Sequence, residues 1–244
     1  MPAIGMLNEN PLHAAIKARY AGPDAHREVS LHGYVVDVVR DDLWIEIQTS
    51  NVSKIKRKLA DLADHHAVRL VLPVALEKWI IRVGHDGLSV LGRRKSPQRG
   101  AVEFLFRELV SIPQLLAHPN FSLAVLLIRE EEVRSFEAGR NWRRNGWGTR
   151  ERRLLGVIEE RLFQTPADLA ALLPATLADP FTARQLAAAL GQPVWLAHKM
   201  VYCLRALGLL TPAGKNGRAI SYVREAPASE QRHELPFRRP FDGA

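Results

Sequence analysis

The run Tyr34-Val35-Val36-Asp37-Val38-Val39-Arg40-Asp41-Asp42-Leu43-Trp44-Ile45-Glu46-Ile47-Gln48 leaves the chain few architectures. Its β-branched and aromatic density favours extended backbone, and Asp41-Asp42 supplies turn chemistry, so residues 33–48 are expected to form a β-hairpin. Tyr34, Val36, Val38, Trp44, Ile45 and Ile47 make both faces of that hairpin apolar, which requires cover on both sides and points to an α/β protein. One acid stands on each strand, Asp37 and Glu46. A buried carboxylate is costly unless a cation or hydrogen-bond donors meet it, so the pair predicts a charged partner nearby. The plain alternative is a half-solvated hairpin whose acids face water.

The flanking segments fit the same class. Pro11 to Tyr20 reads as a short helix stopped by Gly22-Pro23-Asp24. After the hairpin, Thr49-Ser50-Asn51 offers capping oxygens, and Ile55, Leu59, Leu62 and Ala63 mark one helical face ending near His65-His66. Val68 to Pro73 is a continuous apolar run, as expected of a strand buried on both sides. Further on, Lys78 to Val83 and Ser122 to Arg129 are strand candidates, Arg93-Arg94-Lys95-Ser96-Pro97-Gln98-Arg99-Gly100 is expected to be a basic loop, and Val102, Leu105, Phe106, Leu109 and Val110 have helical spacing.

This order of helix, hairpin bearing Asp37, Glu46-Ile47-Gln48, helix and buried strand resembles the PD-(D/E)XK, or restriction-endonuclease-like, nuclease superfamily over roughly residues 8–75. The resemblance implies a mixed sheet flanked by helices. It also implies that Asp37 and Glu46 bind Mg²⁺, which accepts one or two carboxylates with water and phosphate completing its shell and activates water for phosphodiester hydrolysis. Gln48 stands where the superfamily carries lysine. Glutamine positions water or phosphate by hydrogen bonds but brings no charge, and in some members a basic residue of the next helix substitutes; Lys54 and Lys56 are the candidates, with Lys56 preferred. The superfamily often adds a glutamate from the first helix, for which Glu9 is the nearest match and Glu28 a rival, while His13 and Lys17, four apart, would line the cleft.

The carboxyl-terminal part has a different rhythm. Ala183 to Leu190, a break at Gly191-Gln192-Pro193, and Val194 to Leu207 give helix, turn, helix, and Thr211 to Tyr222 reads as two short strands around a Gly-rich turn. That order resembles a winged helix-turn-helix, mainly α. The resemblance places Gln192, Trp195, His198, Lys199 and Arg205 toward a major groove, and Lys215, Asn216 and Arg218 on the wing toward phosphate. The expected organisation is therefore a nuclease-like domain over 1–138, a basic linker over 139–150, a winged-helix domain over 151–225 and a disordered tail over 226–244. Leu154 to Leu173 is read as mainly helical.

Charge supports a polyanionic partner. Lys and Arg total 34 against 26 Asp and Glu, a formal charge of +8. Arg93, Arg94, Lys95 and Arg99, with Arg140, Arg143 and Arg144 farther on, suit a phosphate track, and Trp142 and Trp147 suit stacking on unpaired bases. The acidic run Glu130-Glu131-Glu132 suggests local pairing instead. The lone Cys203 excludes an internal disulfide and a cysteine-rich zinc site. With no signal-peptide pattern and no apolar stretch near membrane-spanning length, a cytoplasmic protein without membrane contact is expected. Phosphate-loop, H-E-x-x-H and G-x-S-x-G motifs are lacking. The reading is a Mg²⁺-dependent DNA endonuclease, the alternative a non-catalytic DNA-binding regulator on a degenerate nuclease core; the composition leaves a homodimer open.

Overall fold

A computed structural model describes residues 10–31, 33–136 and 145–225. Helix α1 (Pro11–Tyr20) starts where Asn10 caps the Leu12 N–H and proline occupies the first turn, then strands β1 (His26–Leu31), β2 (Tyr34–Arg40) and β3 (Leu43–Ile47) form an antiparallel meander. Asp41, at φ 51°, makes the expected turn. A 3₁₀ turn (Val52–Ile55) leads into α2 (Lys56–Ala63), which returns the chain to β4 (Ala67–Val83), parallel to β3. β5 (Val90–Lys95) hairpins back on the far half of β4. A short 3₁₀ turn and α3 (Phe106–Leu109) precede β6 (Phe121–Phe136), parallel to β4 along almost its whole length, and β7 (Trp147–Phe163) runs antiparallel to β6.

The result is one mixed sheet of seven strands, ordered β1-β2-β3-β4-β6-β7 with β5 also on β4. Cores cover both of its faces. One gathers Leu12 and Ile16 of α1 with Val38, Ile45, Ile47 and Ala124; the other gathers Leu59 and Leu62 of α2 with Leu70, Leu72 and Leu123 and continues into the carboxyl-terminal helices. The α/β class and the helix-covered sheet are thus as the apolar hairpin implied.

Several local expectations are corrected. Val68 to Pro73 and Lys78 to Val83 are one strand, not two, because β6 pairs with both halves and with the residues between them. Pro73 is tolerated mid-strand because residue 73 points its nitrogen to the β3 side, where β3 has already ended: the last bond there is from Gln48 N–H to the Val71 carbonyl. The basic segment at 93–95 is strand β5 rather than loop. Leu154 to Phe163 is not helical; it belongs to β7, whose ladder with β6 overrides the local spacing. The boundary expected over 139–150 therefore falls too early, since residues 147–163 complete the large sheet. Arg140, Trp142, Arg143 and Arg144, and the tail after residue 225, lie outside the described residues.

Beyond β7, α4 (Pro166–Ala170) opens with a capping box at Thr165, and β8 (Phe181–Thr182) leads through a second capping box into α5 (Ala183–Leu190), closed by Gly191 in the left-handed region. α6 (Val194–Ala206) follows, then β9 (Leu210–Asn216) and β10 (Ala219–Arg224), which with β8 make a small sheet ordered β8-β10-β9. Met200 and Leu204 of α6 are fully buried in the larger core.

Candidate active site

The register of the first three strands breaks at one level. β2 pairs with β3 from Arg40↔Leu43 to Val38↔Ile45; the next pair would be Asp37 and Glu46, and there the ladder stops. Asp37 turns its carboxylate into the split, where Oδ2 accepts the Ile47 N–H at 2.8 Å. On the other side, the paired positions Arg27↔Val38 and Val29↔Val36 bracket Glu28, whose φ of 53° is a left-handed conformation uncommon for a residue with a side chain. Three acids, Glu28, Asp37 and Glu46, thus stand level across three strands at the point where regular pairing fails.

Each acid meets a base. Lys17, buried on α1, donates to Glu28 at 2.9 Å; His13, one turn earlier, places Nε2 at 3.2 Å from Asp37 Oδ2. Lys58 of α2 puts Nζ at 2.6 Å from Glu46 Oε2 and also donates to the Val35 carbonyl. Burial works against ionisation of Asp37, but the His13 hydrogen bond and charge, the Ile47 N–H and Lys58 outweigh it and hold the carboxyl below its usual range. Glu46 goes the other way. Burial first, then the Asp37 charge, pushes it up to about 7 in spite of Lys58 and the Asp37 backbone N–H. Two adjacent carboxyls with pKa values driven apart are the arrangement expected of a site that holds a cation or moves a proton.

Not every residue expected in the site arrives there. Asp37, Glu46, His13 and Lys17 do. Gln48 does not: its amide donates to the Ser50 carbonyl at 2.5 Å and its side chain lines a separate cavity. Lys56 and Lys54 are exposed and make no ion pair with the acids among the described residues. Lys58 replaces them, and a signal for it existed: Ile55, Lys58, Leu59 and Leu62 follow the i, i+3, i+4, i+7 stripe, which makes Lys58 a charged residue on the inward face. Glu9 lies outside the described residues.

The cavity lined by Gln48, about 290 Å³, occupies the sheet gap between the end of β3 and the end of β5. A buried ionic network forms one wall. Lys78 lies 2.8 Å from Glu130 and 3.1 Å from Glu132, Arg152 pairs with Glu130 and donates to the Thr49 carbonyl, and Arg134 and Thr149 hold Glu132. Arg93 pairs with Glu131 at 2.9 Å. The local pairing expected of the acidic run is therefore what the structure contains.

Of the expected phosphate contacts, Arg93 and Lys95 are tied to Glu131 and Glu77 and sit over the Trp79 ring, whereas Arg94 and Arg99 are exposed and make no ion pair among the described residues. Lys215 and Arg218 are exposed on the β9–β10 hairpin; Gln192 and Lys199 are half-buried. Trp195 is 45% exposed, its ring edge-on to Phe104 at 6.0 Å, and Arg205 stacks on Tyr222.

No cluster of three or more His, Cys, Asp or Glu suited to a metal occurs among the described residues. A hard divalent cation needs fewer protein ligands than that. The oxygen donors of Asp37 and Glu46 suit it, and the unfavourable charge of one carboxylate on the other is what such a cation would relieve.

A family profile described as "Domain of unknown function (DUF8091)" matches residues 10–164, from the cap of α1 to the end of the large sheet. The chain belongs to this family. An uncharacterized protein of Treponema pallidum (strain Nichols) is 31% identical over 238 residues, covering 97% of this chain and 93% of that relative. The likeness to that relative thus runs past the DUF8091 segment into the region of α5, α6 and the small sheet. No solved structure matches the chain. No described helix is long and apolar enough to cross a membrane.

Proposed function

We propose that the protein is a metal-dependent DNA endonuclease, with a PD-(D/E)XK core and a carboxyl-terminal winged helix. The observation that carries this reading is the convergence of Asp37 and Glu46 at the split between β2 and β3, with a lysine ammonium against Glu46. The element order α1, β1, β2, β3, α2, β4, with an antiparallel meander followed by a parallel strand, supports the core. The helix-turn-helix and the exposed hairpin carrying Lys215 and Arg218 support the DNA-binding appendage.

Asp37 and Glu46 would hold Mg²⁺. When bound, the ion supplies Lewis-acid polarisation of the scissile phosphate and of a water. The chain's own groups do the rest. His13 and the Ile47 N–H keep Asp37 ionised and aimed into the split. Lys58 takes the role left vacant by Gln48, its ammonium placed to offset negative charge that grows on the phosphoryl oxygens. Arg94, Arg99, Lys215 and Arg218 would hold the backbone of duplex DNA and fix its register.

One feature favours a second reading, a non-catalytic DNA-binding regulator: Lys58 lies 2.6 Å from Glu46, where its charge offsets the one a cation would otherwise offset. Purified protein with supercoiled plasmid and Mg²⁺ or Mn²⁺ separates the two. Nicking lost in Asp37→Ala and in Glu46→Ala is the expected result; cleavage that persists in both variants removes the assignment. Salt-dependent duplex binding with no calorimetric Mg²⁺ signal favours the regulator.

A further inference from the structure

β7 is an edge strand: β6 pairs with one side of it, and among the described residues no strand covers the other. Its ladder is interrupted twice near the middle. Glu159 pairs with Leu127 and Val157 with Ile128, so Ile158 is skipped; Gly156 pairs with Arg129 and Leu154 with Glu130, so Leu155 is skipped. These two bulged residues and Leu162 are among the exposed large apolar side chains of the protein, at 46% for Leu155, 43% for Ile158 and 42% for Leu162. Bulges protect an edge against open-ended ladder growth, but exposed leucine and isoleucine at its centre do the opposite.

The charges around that centre form a palindrome. The segment reads Glu151-Arg152-Arg153-Leu154-Leu155-Gly156-Val157-Ile158-Glu159-Glu160-Arg161. Turned end for end about Gly156, it sets Leu155 against Val157 and Leu154 against Ile158. It also sets Arg153 against Glu159 and Glu151 against Arg161. A one-residue slip opposes Glu151 to Glu160 or Arg152 to Arg161, and a parallel arrangement opposes every charge to itself. One antiparallel register alone satisfies all of them. Nothing lies within 4 Å of where a Gly156 side chain would begin, so the pivot is open to close approach.

We propose that β7 is a homodimer interface in which two copies of the chain dock antiparallel about a two-fold axis through Gly156. Such an axis demands a self-complementary surface, and the palindrome is one. In a single copy, Arg153 is paired with Glu151, and Arg161 with Glu159 at 2.6 Å. Docking exchanges these for Arg153 to Glu159 and Arg161 to Glu151 of the second copy, at no loss of charge pairing, while Leu155 and Ile158 leave water. Arg152 and Glu160 keep their partners within the subunit, Glu130 and Tyr20. The interface is independent of the hydrolytic reading.

Sedimentation velocity across a dilution series tests it on the full chain. The wild type should show a monomer–dimer equilibrium, and Leu155→Asp with Ile158→Asp should be monomeric with an unchanged circular dichroism spectrum and melt. Arg153→Glu should weaken the dimer on the order of tenfold, because each dimer contains the pair twice. Adding Glu159→Arg to it should restore the dimer, which only a direct contact between these positions predicts and which misfolding would not produce. A folded wild type that stays monomeric at every concentration overturns the proposal. So does a dimer that survives the Leu155→Asp, Ile158→Asp change, or a double charge reversal that fails to rescue.

Discussion

Lys58 Nζ lies 2.6 Å from Glu46 Oε2, on a helix two elements past the hairpin turn. In the proposed endonuclease this places the charge that Gln48 does not carry on α2, two residues past Lys56.

If that ammonium acts on the phosphoryl group, Lys58→Ala should lower single-turnover plasmid nicking by about 10²–10³, the usual loss for one electrostatic donor. Lys56→Ala should leave the rate near wild type. Equal effects of the two would return Lys58 to a purely structural role.

His13 is the first of the groups that hold Asp37 below the ordinary carboxylate range. Removing it in His13→Ala should raise the Asp37 pKa, so the acidic limb of the pH–rate profile should move to higher pH. Carboxyl chemical shifts of Asp37 followed by NMR titration check the same point without activity.

Glu46 has the opposite linkage. Its folded-state pKa of about 7 lies above the ordinary value of 4.5, so the folded state binds this proton more tightly than the unfolded state does. Its contribution to stability is full below pH 4.5 and is lost as pH rises through about 7. Denaturant melts of Glu46→Gln should therefore show less decline over that window than the wild type; an identical pH dependence would count against the burial of an ionisable Glu46.

The Glu130, Glu132, Lys78, Arg152 network should be costly to break from one side. Arg152→Met leaves Glu130, which is fully buried, with one cation fewer, and should destabilise by about 3–5 kcal/mol. Burial opposes ionisation of Glu132, but Arg134, Thr149 and Lys78 pull its carboxyl down to about 2. The stability it adds is present above its ordinary pKa of 4.5 and lost as pH falls toward 2, which acid titration of Glu132→Gln against wild type would reveal as a flatter curve.

Lys215→Ala and Arg218→Ala should each reduce the salt slope of duplex binding by about 1 and weaken it uniformly across sequences. A slope unchanged in both variants would take the β9–β10 hairpin out of the interface.

Much of this was legible from local rules. The hairpin, α1, the α5–α6 pair and the small hairpin are written in β-branched density, caps and glycine breaks, which act within a few residues. The failures were non-local. β7 was misread because its apolar residues also suit a helix, and only β6, more than ten residues upstream, decides in favour of the strand. Gln48 was misplaced because β3 ends before it, and where a strand ends depends on its neighbour. Asp37 and Glu46 were readable as a pair since their spacing about Asp41-Asp42 puts them opposite each other; for Lys58 the apolar stripe of α2 shows only that it faces inward, while which acid it meets depends on how α2 rests on the sheet.

Pro73 deserves its place in that geometry. The next bond of the β3–β4 ladder would run from the nitrogen of residue 73 to the Gln48 carbonyl, and proline has no hydrogen to give. The β3–β4 ladder therefore loses its next rung two residues past Glu46, and a missing donor outside the site marks where the chain is released from the sheet toward α2.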